Sequence, residues 1–243
     1  MKRSLLALPA AALLSSAADA GFVGFVASAR NAGGNTVIDV FAGVQNASDR
    51  FLNVYDLTSN GVFVQKAGLA SKTWKPDTQG FTSTRSVTDD SFLTAGTFGG
   101  GPYGGEYYAG STTSADPTFT GTSWNATPAS AAATTLPANA GWYTGNPTSS
   151  DNSAESLAGL AGRSDASTVD AAPAAQWGIW VAHLVIAGEN KVIGIDFTFS
   201  AFASIKDGLN GSVSQGTSAF PVPAPGAIAL LAVAGMTARR RRA

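Results

Sequence analysis

The sequence predicts an all-β protein, an antiparallel β-sandwich or jelly-roll-like single domain with long loops. Apolar segments of strand length, bounded by turn residues, open and close the body of the chain. Between them, from Thr82 to Ala175, the chain is rich in Gly, Ser, Thr, Ala, Asn and Pro. A structureless stretch of that length is uncommon inside a compact domain, so we expect short strands joined by long loops there.

The first part of the body reads as a meander of about four strands. Apolar, β-branched and aromatic residues alternate with turn residues, and Ser59-Asn60-Gly61 is typical of a hairpin. The predicted strands are Phe22–Ala29, Thr36–Val44, Phe51–Leu57 and Val62–Val64.

The last part of the body predicts a second hairpin. Gly178–Ala187 is apolar on both faces, which favours a strand covered on both sides. After a turn at Gly188-Glu189-Asn190, Lys191–Phe202 alternates apolar and polar residues with the period of a half-buried strand. One short helix is expected near Ala154–Gly162.

The composition excludes several kinds of site. The chain has no Cys and one His, which excludes disulfides, thiolate zinc sites, cysteine nucleophiles and any site with two imidazoles. Fifteen Lys and Arg against sixteen Asp and Glu leave no basic excess for nucleic acid.

The N-terminus predicts a cleaved export signal over residues 1–20, read by signal peptidase. A positive start precedes an apolar run, Leu5–Leu14, that is too short to span a bilayer, which takes roughly 20 apolar residues. An uncleaved membrane anchor is the less favoured alternative. The predicted cleavage site consists of Ala18, Ala20 and Gly21.

The C-terminus has three parts in order, over residues 222–243. A rigid proline segment precedes a short, nearly uncharged apolar stretch, Gly226–Ala238, expected to form a hydrophobic helix. Four arginines follow, and these favour the cytoplasmic side of a membrane. An ordinary tail anchor is the alternative. The defining residues are Val222, Pro223, Ala224, Pro225, Gly226, Arg239, Arg240, Arg241 and Arg242.

This C-terminal segment resembles the PEP-CTERM sorting signal of bacterial surface proteins, with Ala224 in place of the glutamate that gives the motif its name. The resemblance covers under a tenth of the chain. It implies recognition by an exosortase, a transient anchor in the inner membrane, and delivery to the cell surface or extracellular matrix. Residues 21–221 would then form the exported β domain.

The near-neutral charge of the chain is a sum over three segments, and two of them, the signal and the tail, are expected to be removed. Losing the two basic residues and one acidic residue of the signal and the four arginines of the tail leaves nine basic and fifteen acidic residues. The mature domain is therefore expected to carry a charge near −6.

No catalytic motif is recognised. His183 lies in an apolar strand and is expected to be a buried, hydrogen-bonded residue, because no neighbouring nucleophile or carboxylate forms a local motif with it. Glycoside hydrolysis needs only two facing carboxylates. The Glu residues are Glu106, which lies among glycines and tyrosines, Glu155, and Glu189, which lies in a turn. Asp89-Asp90 could serve as well, and the sequence singles out no pair.

Aromatic residues offer candidate ligand contacts, since flat rings stack on sugar rings, although the same residues also fill the cores of sandwiches. The candidates are Tyr103, Tyr107, Tyr108, Trp124, Trp142 and Tyr143. Asp89, Asp90, Asp116 and Asp151 are scattered calcium-type ligands without EF-hand spacing, so we predict neither a metal nor a cofactor.

The sequence therefore predicts an exported, non-enzymatic protein of the bacterial cell surface or extracellular matrix. A carbohydrate-binding module, with polysaccharide as partner, is the alternative, and a secreted glycoside hydrolase is a less favoured one.

Overall fold

The computed structural model describes residues 21–65, 74, 89–96, 117–120, 134–148, 154–158, 160, 162–165, 167–168 and 175–220. Within these residues the chain is all-β and has no helix, which confirms the predicted class. The strands are β1 Phe22–Ala32, β2 Asn35–Val44, β3 Arg50–Ser59, β4 Phe92–Leu93, β5 Pro117–Thr120, β6 Gly141–Thr144, β7 Glu155–Ser156, β8 Arg163–Asp165, β9 Ser167–Thr168, β10 Trp177–Ala187, β11 Phe199–Lys206 and β12 Val213–Ala219.

The strands form two antiparallel sheets of six strands each. The first has the order β4-β10-β2-β1-β8, and β7 also pairs with β10. The second has the order β5-β6-β3-β11-β12-β9. The long strands lie at the centre of each sheet, and the short strands from the Gly- and Ser-rich middle of the chain lie towards the edges.

β1 and β2 form a hairpin around two glycines. Gly33 and Gly34 both have positive φ, 61° and 78°, which matches the tight turn that suits the right-handed twist of paired strands. The chain then leaves this sheet, because β3 pairs with β6 and β11 in the second one.

A single hydrophobic core joins the two sheets. It contains Phe25 and Ile38 of the first sheet and Val54 and Ala203 of the second. Phe25 meets Phe199 edge to face, with ring centroids 5.0 Å apart. Apolar burial of this kind stabilises by roughly 25 cal/mol per Å².

The first sheet also buries its other face. Val26, Phe41 and Trp180 form a second apolar cluster with Phe92, and Leu157 packs on it from beyond β7. Because both faces of β10 pack against other residues, its sequence is apolar throughout. The covered strand predicted over 178–187 is confirmed.

Three local predictions are wrong. β10 and β11 lie in different sheets, so the hairpin of Gly178–Ala187 with Lys191–Phe202 does not form, and β11 begins only at Phe199. The first strands do not form a meander, since β3 crosses to the second sheet and Val62–Val64 is not a strand. In place of a helix near Ala154–Gly162, Glu155 and Ser156 pair with β10.

Candidate functional site

The outer face of the first sheet holds a buried ionic cluster formed by Arg30, Asp39 and His183. Asp39 and His183 are direct cross-strand partners on β2 and β10, and Arg30 projects from β1. His183 Nδ1 lies 2.6 Å from Asp39 Oδ1, and Arg30 Nη1 donates to Asp39 Oδ2. Asp39 and His183 have no exposed surface, whereas a quarter of the Arg30 side chain is exposed.

Asp39 is held in its ionised form by its two partners. Burial is the largest single influence and acts to raise the pKa of Asp39. The charges and hydrogen bonds of His183 and Arg30 together outweigh it, so the pKa lies below its ordinary value. A buried carboxylate is stable only with such partners, because its desolvation is costly.

Aromatic rings enclose the His183 imidazole. Phe92 stacks on it with centroids 4.8 Å apart, and Trp180 meets it edge-on at 5.9 Å. The buried, hydrogen-bonded histidine predicted from the sequence is confirmed. Its orientation differs from simple alternation, because a β-bulge between Trp180 and Ala182 turns His183 towards the outer face with Trp180, away from Ile179 in the core.

Glu155 is a second unusual carboxyl group at the edge of this sheet, where it is paired with Gly178. Its Oε1 is buried and has no hydrogen-bond partner among the described residues. Burial first, and then the charge of Asp39, raise the pKa of Glu155 to about 7. A carboxyl with such a pKa can exchange a proton near neutrality. The sequence offers no signal for it beyond the small number of Glu residues.

The outer face of the second sheet has a different character. On β11, Ala201, Ala203 and Ile205 enter the core, which sends Phe202, Ser204 and Lys206 to the other side. Phe202 stacks on Tyr55 of β3 with centroids 5.2 Å apart and planes 17° from parallel.

Polar residues and a tyrosine form one cross-strand row on this outer face. Tyr143, on β6, is 41% exposed and pairs with Asn53, which pairs in turn with Ser204. Asn53 Oδ1 and Ser204 Oγ are buried and make no hydrogen bond within the described part of the chain. In order across the sheet, the row contains Thr118, Tyr143, Asn53, Ser204 and Gln215.

An open pocket of about 230 Å³ lies where β3 begins and β11 ends. Arg50 and Lys206 line it as direct cross-strand partners. Thr148, Asp207 and Gly208 also contribute to the lining. Asp207 Oδ1 accepts hydrogen bonds from the N–H groups of Leu209 and Asn210, at 2.6 and 3.3 Å.

The structure places two of the predicted aromatic candidates, and they differ. Trp142 fills the core with no exposed surface, and its Nε1 donates to the Thr94 carbonyl oxygen at 2.9 Å, so it presents no ring to a ligand. Tyr143, the next residue, faces outward because side chains alternate along a strand. The other candidates, Tyr103, Tyr107, Tyr108 and Trp124, lie outside the described residues.

The predicted sorting residues fall almost entirely outside the described residues. Of the signal cleavage site only Gly21 is described, immediately before β1. Ala18, Ala20 and the whole segment 222–243 are not described. In the described part of the chain, no helix is long and apolar enough to cross a bilayer, and no three acidic or histidine residues are grouped as metal ligands.

Sequence reasoning missed the surface formed by Tyr55, Phe202, Arg50 and Lys206. The alternation Ala-Phe-Ala-Ser-Ile-Lys over 201–206 carries a signal for it. The predicted strand ended at Phe202, however, so it did not include the outward-facing residues Ser204 and Lys206.

No family model, curated protein or solved structure matches this chain.

Proposed function

We propose that this protein is an exported, non-enzymatic component of a bacterial cell surface or extracellular matrix, built as a single β-sandwich domain. The observation that carries the proposal is the combination of a signal-like N-terminus with the three-part C-terminal segment 222–243. In this proposal, signal peptidase removes residues 1–20, and an exosortase-type enzyme processes the tail while it is anchored in the inner membrane.

The extent of the described fold supports this division. β1 begins at Phe22, one residue after the proposed new N-terminus, and the Phe22 N–H donates to Ser214 Oγ at 3.3 Å. At the other end β12 finishes at Ala219, and buried Phe220 donates its N–H to the Phe199 carbonyl oxygen. Removing residues 1–20 and 222–243 would leave these contacts intact.

The state of His183 supports a structural rather than a catalytic role. The imidazole has no exposed surface, is stacked on Phe92 and is hydrogen-bonded to Asp39. A catalytic base must come within hydrogen-bond distance of a substrate proton. A residue committed to a buried pair at the centre of a sheet is better suited to holding three strands in register.

The test of the sorting proposal is expression of the full chain in a bacterium that has a matching exosortase. We expect intact-mass measurement to show loss of residues 1–20 and of the arginine cluster, and fractionation to find the domain at the surface or in the medium. Replacing Pro223 and Pro225 by Ala should retain the unprocessed chain in the membrane. An intact tail, together with unchanged location after deletion of 222–243, would contradict the proposal.

Carbohydrate binding is a second candidate function, favoured by the outer face of the second sheet. Tyr143 is exposed there beside a polar row, and the stacked Tyr55 and Phe202 lie next to it. We expect pull-down on polysaccharides to be weakened by Tyr143→Ala and retained by Tyr143→Phe, because stacking requires the ring and not the hydroxyl. Equal binding by wild type and Tyr143→Ala would contradict this candidate.

A further inference from the structure

We propose that the pocket between Arg50 and Lys206 binds the carboxylate of an acidic polysaccharide, a polymer of uronate sugars, whose neighbouring ring lies on Tyr143. The proposal rests on the second candidate function above and specifies its ligand. The argument comes from the register of β3 and β11, the partners of the two cations, and the position of the polar row.

Two like charges stand directly opposite each other in this pocket. Lys206 and Arg50 are register partners, and such positions place the Cβ atoms about 4.5–5.5 Å apart, where like charges destabilise a sheet. Both residues line the pocket instead of extending away from one another into solvent. An anion bound between them removes this repulsion.

Neither cation forms a salt bridge with a carboxylate among the described residues, and the carboxylate charge that acts on Arg50 is that of Asp49. Arg50 Nη1 donates to the carbonyl oxygens of Ser48 and Asp49, at 2.7 and 3.2 Å, which holds the guanidinium in place and uses only one of its three nitrogens. Lys206 makes no hydrogen bond or ion pair within the described part of the chain. A fixed guanidinium is well suited to the planar geometry of a carboxylate.

Asp207 also lines the pocket and sets a limit on the ligand. Its Oδ1 is engaged by two loop amides, but its charge remains at one side. Asp49, whose charge acts on both Arg50 and Asp207, is a second carboxylate near the two cations. A sugar with a single carboxylate adds less negative charge to this balanced group than a polyvalent anion does.

The polar row lies on the same outer face, one step along β11 from the pocket. Lys206 and Ser204 are two residues apart on β11, about 7 Å along the strand, and Ser204 lies in the row of Tyr143 and Asn53. Asn53 and Ser204 lie in that row between the cations and the exposed Tyr143, and their oxygens, which have no partner among the described residues, are buried beneath the surface. The cation pair and the aromatic face beyond it fit one charged sugar and the ring next to it.

The mature domain as a whole is acidic, with nine basic against fifteen acidic residues. Non-specific attraction to a polyanion is therefore disfavoured by the overall charge, and binding would depend on the local pair of cations.

The test is affinity electrophoresis and titration calorimetry of the purified full chain with polygalacturonate, with dextran as neutral polymer and dextran sulfate as sulfated polymer without carboxylates. We expect binding to polygalacturonate, weakened at least tenfold by Lys206→Met and by 0.5 M NaCl, and weakened several-fold by Tyr143→Ala. Lys191→Met is the matched control, because it removes the same charge at a distant exposed turn, and it should bind like wild type.

Each other outcome overturns the proposal. Absence of binding to polygalacturonate, or equal weakening by Lys191→Met, would show that no specific acidic-sugar site exists. Binding to dextran that depends on Tyr143 but not on Lys206 would sustain carbohydrate binding and overturn the acidic ligand. Preference for dextran sulfate would assign the pocket to sulfate instead of carboxylate. Sorting of the chain is measured separately and does not depend on any of these results.

Discussion

At the scale of single residues, the most consequential group is the carboxylate of Asp39. In the sequence, Asp39 is an isolated charge in an apolar strand. The alternation of side chains along that strand does not identify its partner. The fold supplies His183 from a strand 144 residues away and Arg30 from the other side of the hairpin. Three central strands are thereby tied together on the outer face of the first sheet.

Removal of the Asp39 carboxylate should be strongly destabilising. In Asp39→Ala, His183 and Arg30 both lose their contact with the carboxylate, and loss of one partner of a buried pair costs about 3–5 kcal/mol. We expect the free energy of unfolding, measured by urea denaturation at pH 7, to fall by about that amount. Glu189→Ala, which removes a carboxylate at an exposed turn, is the control and should leave the midpoint nearly unchanged. Equal effects would contradict the role of Asp39.

Glu155 should make stability depend on pH in the opposite sense from a salt-bridged acid. Its pKa is raised from 4.5 to about 7 in the folded protein, so between these values the folded state holds a proton that the unfolded state has lost. Its contribution to stability is therefore lost as pH rises through that range. Glu155→Gln should stabilise the protein at pH 8 by about 2 kcal/mol, allowing for partial exposure, and change little at pH 4.

The measurement is urea denaturation of wild type and Glu155→Gln at pH 4, 6 and 8. Glu189→Gln, at an exposed turn, serves as control and should follow the wild-type pH dependence. A Glu155→Gln variant whose stability varies with pH exactly as the wild type does would show that the buried Oε1 is not the source of the effect.

At the scale of elements, the local pattern of residues predicted where strands lie, but it did not predict which strands pair. β1, β2, β3 and β10 lie close to their predicted positions, because apolar and β-branched residues between turn residues favour extended chain wherever the partner is. The predicted hairpin across Gly188-Glu189-Asn190 does not form, because the Ile195 and Asp196 N–H groups bond to the Val192 carbonyl oxygen in a turn, which leaves Ile195 59% exposed. The chain turns over 192–197 before β11 begins, so β11 joins β3 instead.

The two-glycine turn between β1 and β2 permits a test of backbone conformation alone. Gly34 has φ +78°, and a Cβ placed there would meet nothing within 4 Å. Any loss of stability on substitution therefore reflects φ and not a clash. We expect Gly34→Val to cost about 1–2 kcal/mol, and Gly34→Asn to cost less than half as much, because Asn tolerates the left-handed region.

Thermal denaturation of the two variants, followed by circular dichroism, provides the comparison. Equal losses for Val and Asn would indicate that the turn changes shape, and that the positive φ of Gly34 is not what the hairpin requires.

At the scale of the whole molecule, contacts among the described residues extend to both ends of the β domain. The pairing of β11 with β12 spans seven residues on each strand, and Phe220 packs against Phe197 and Phe199 with centroids 5.7 and 6.0 Å apart. The ordered packing therefore extends to Phe220, where the proposed tail is about to begin.

Truncation should show that the β domain folds without the proposed signal and tail. A chain of residues 21–220 should fold with a melting temperature within about 2 °C of the full chain, because all the described core contacts are retained. A chain ending at Ser212 loses β12 and the Phe220 ring and should be unfolded or strongly destabilised. A large loss of stability in the 21–220 chain would place essential contacts beyond Phe220.

The sequence by itself determined the fold class, the positions of β1, β2, β3 and β10, and the buried state of His183. Each depends on composition or on the order of neighbouring residues, which local physical chemistry decides. The tertiary structure alone decided which strands pair, that Trp142 is buried while Tyr143 is exposed, and that Asp39 meets His183 and Lys206 meets Arg50. These contacts join residues more than a hundred positions apart, and only the packing of two sheets around one core fixes their register.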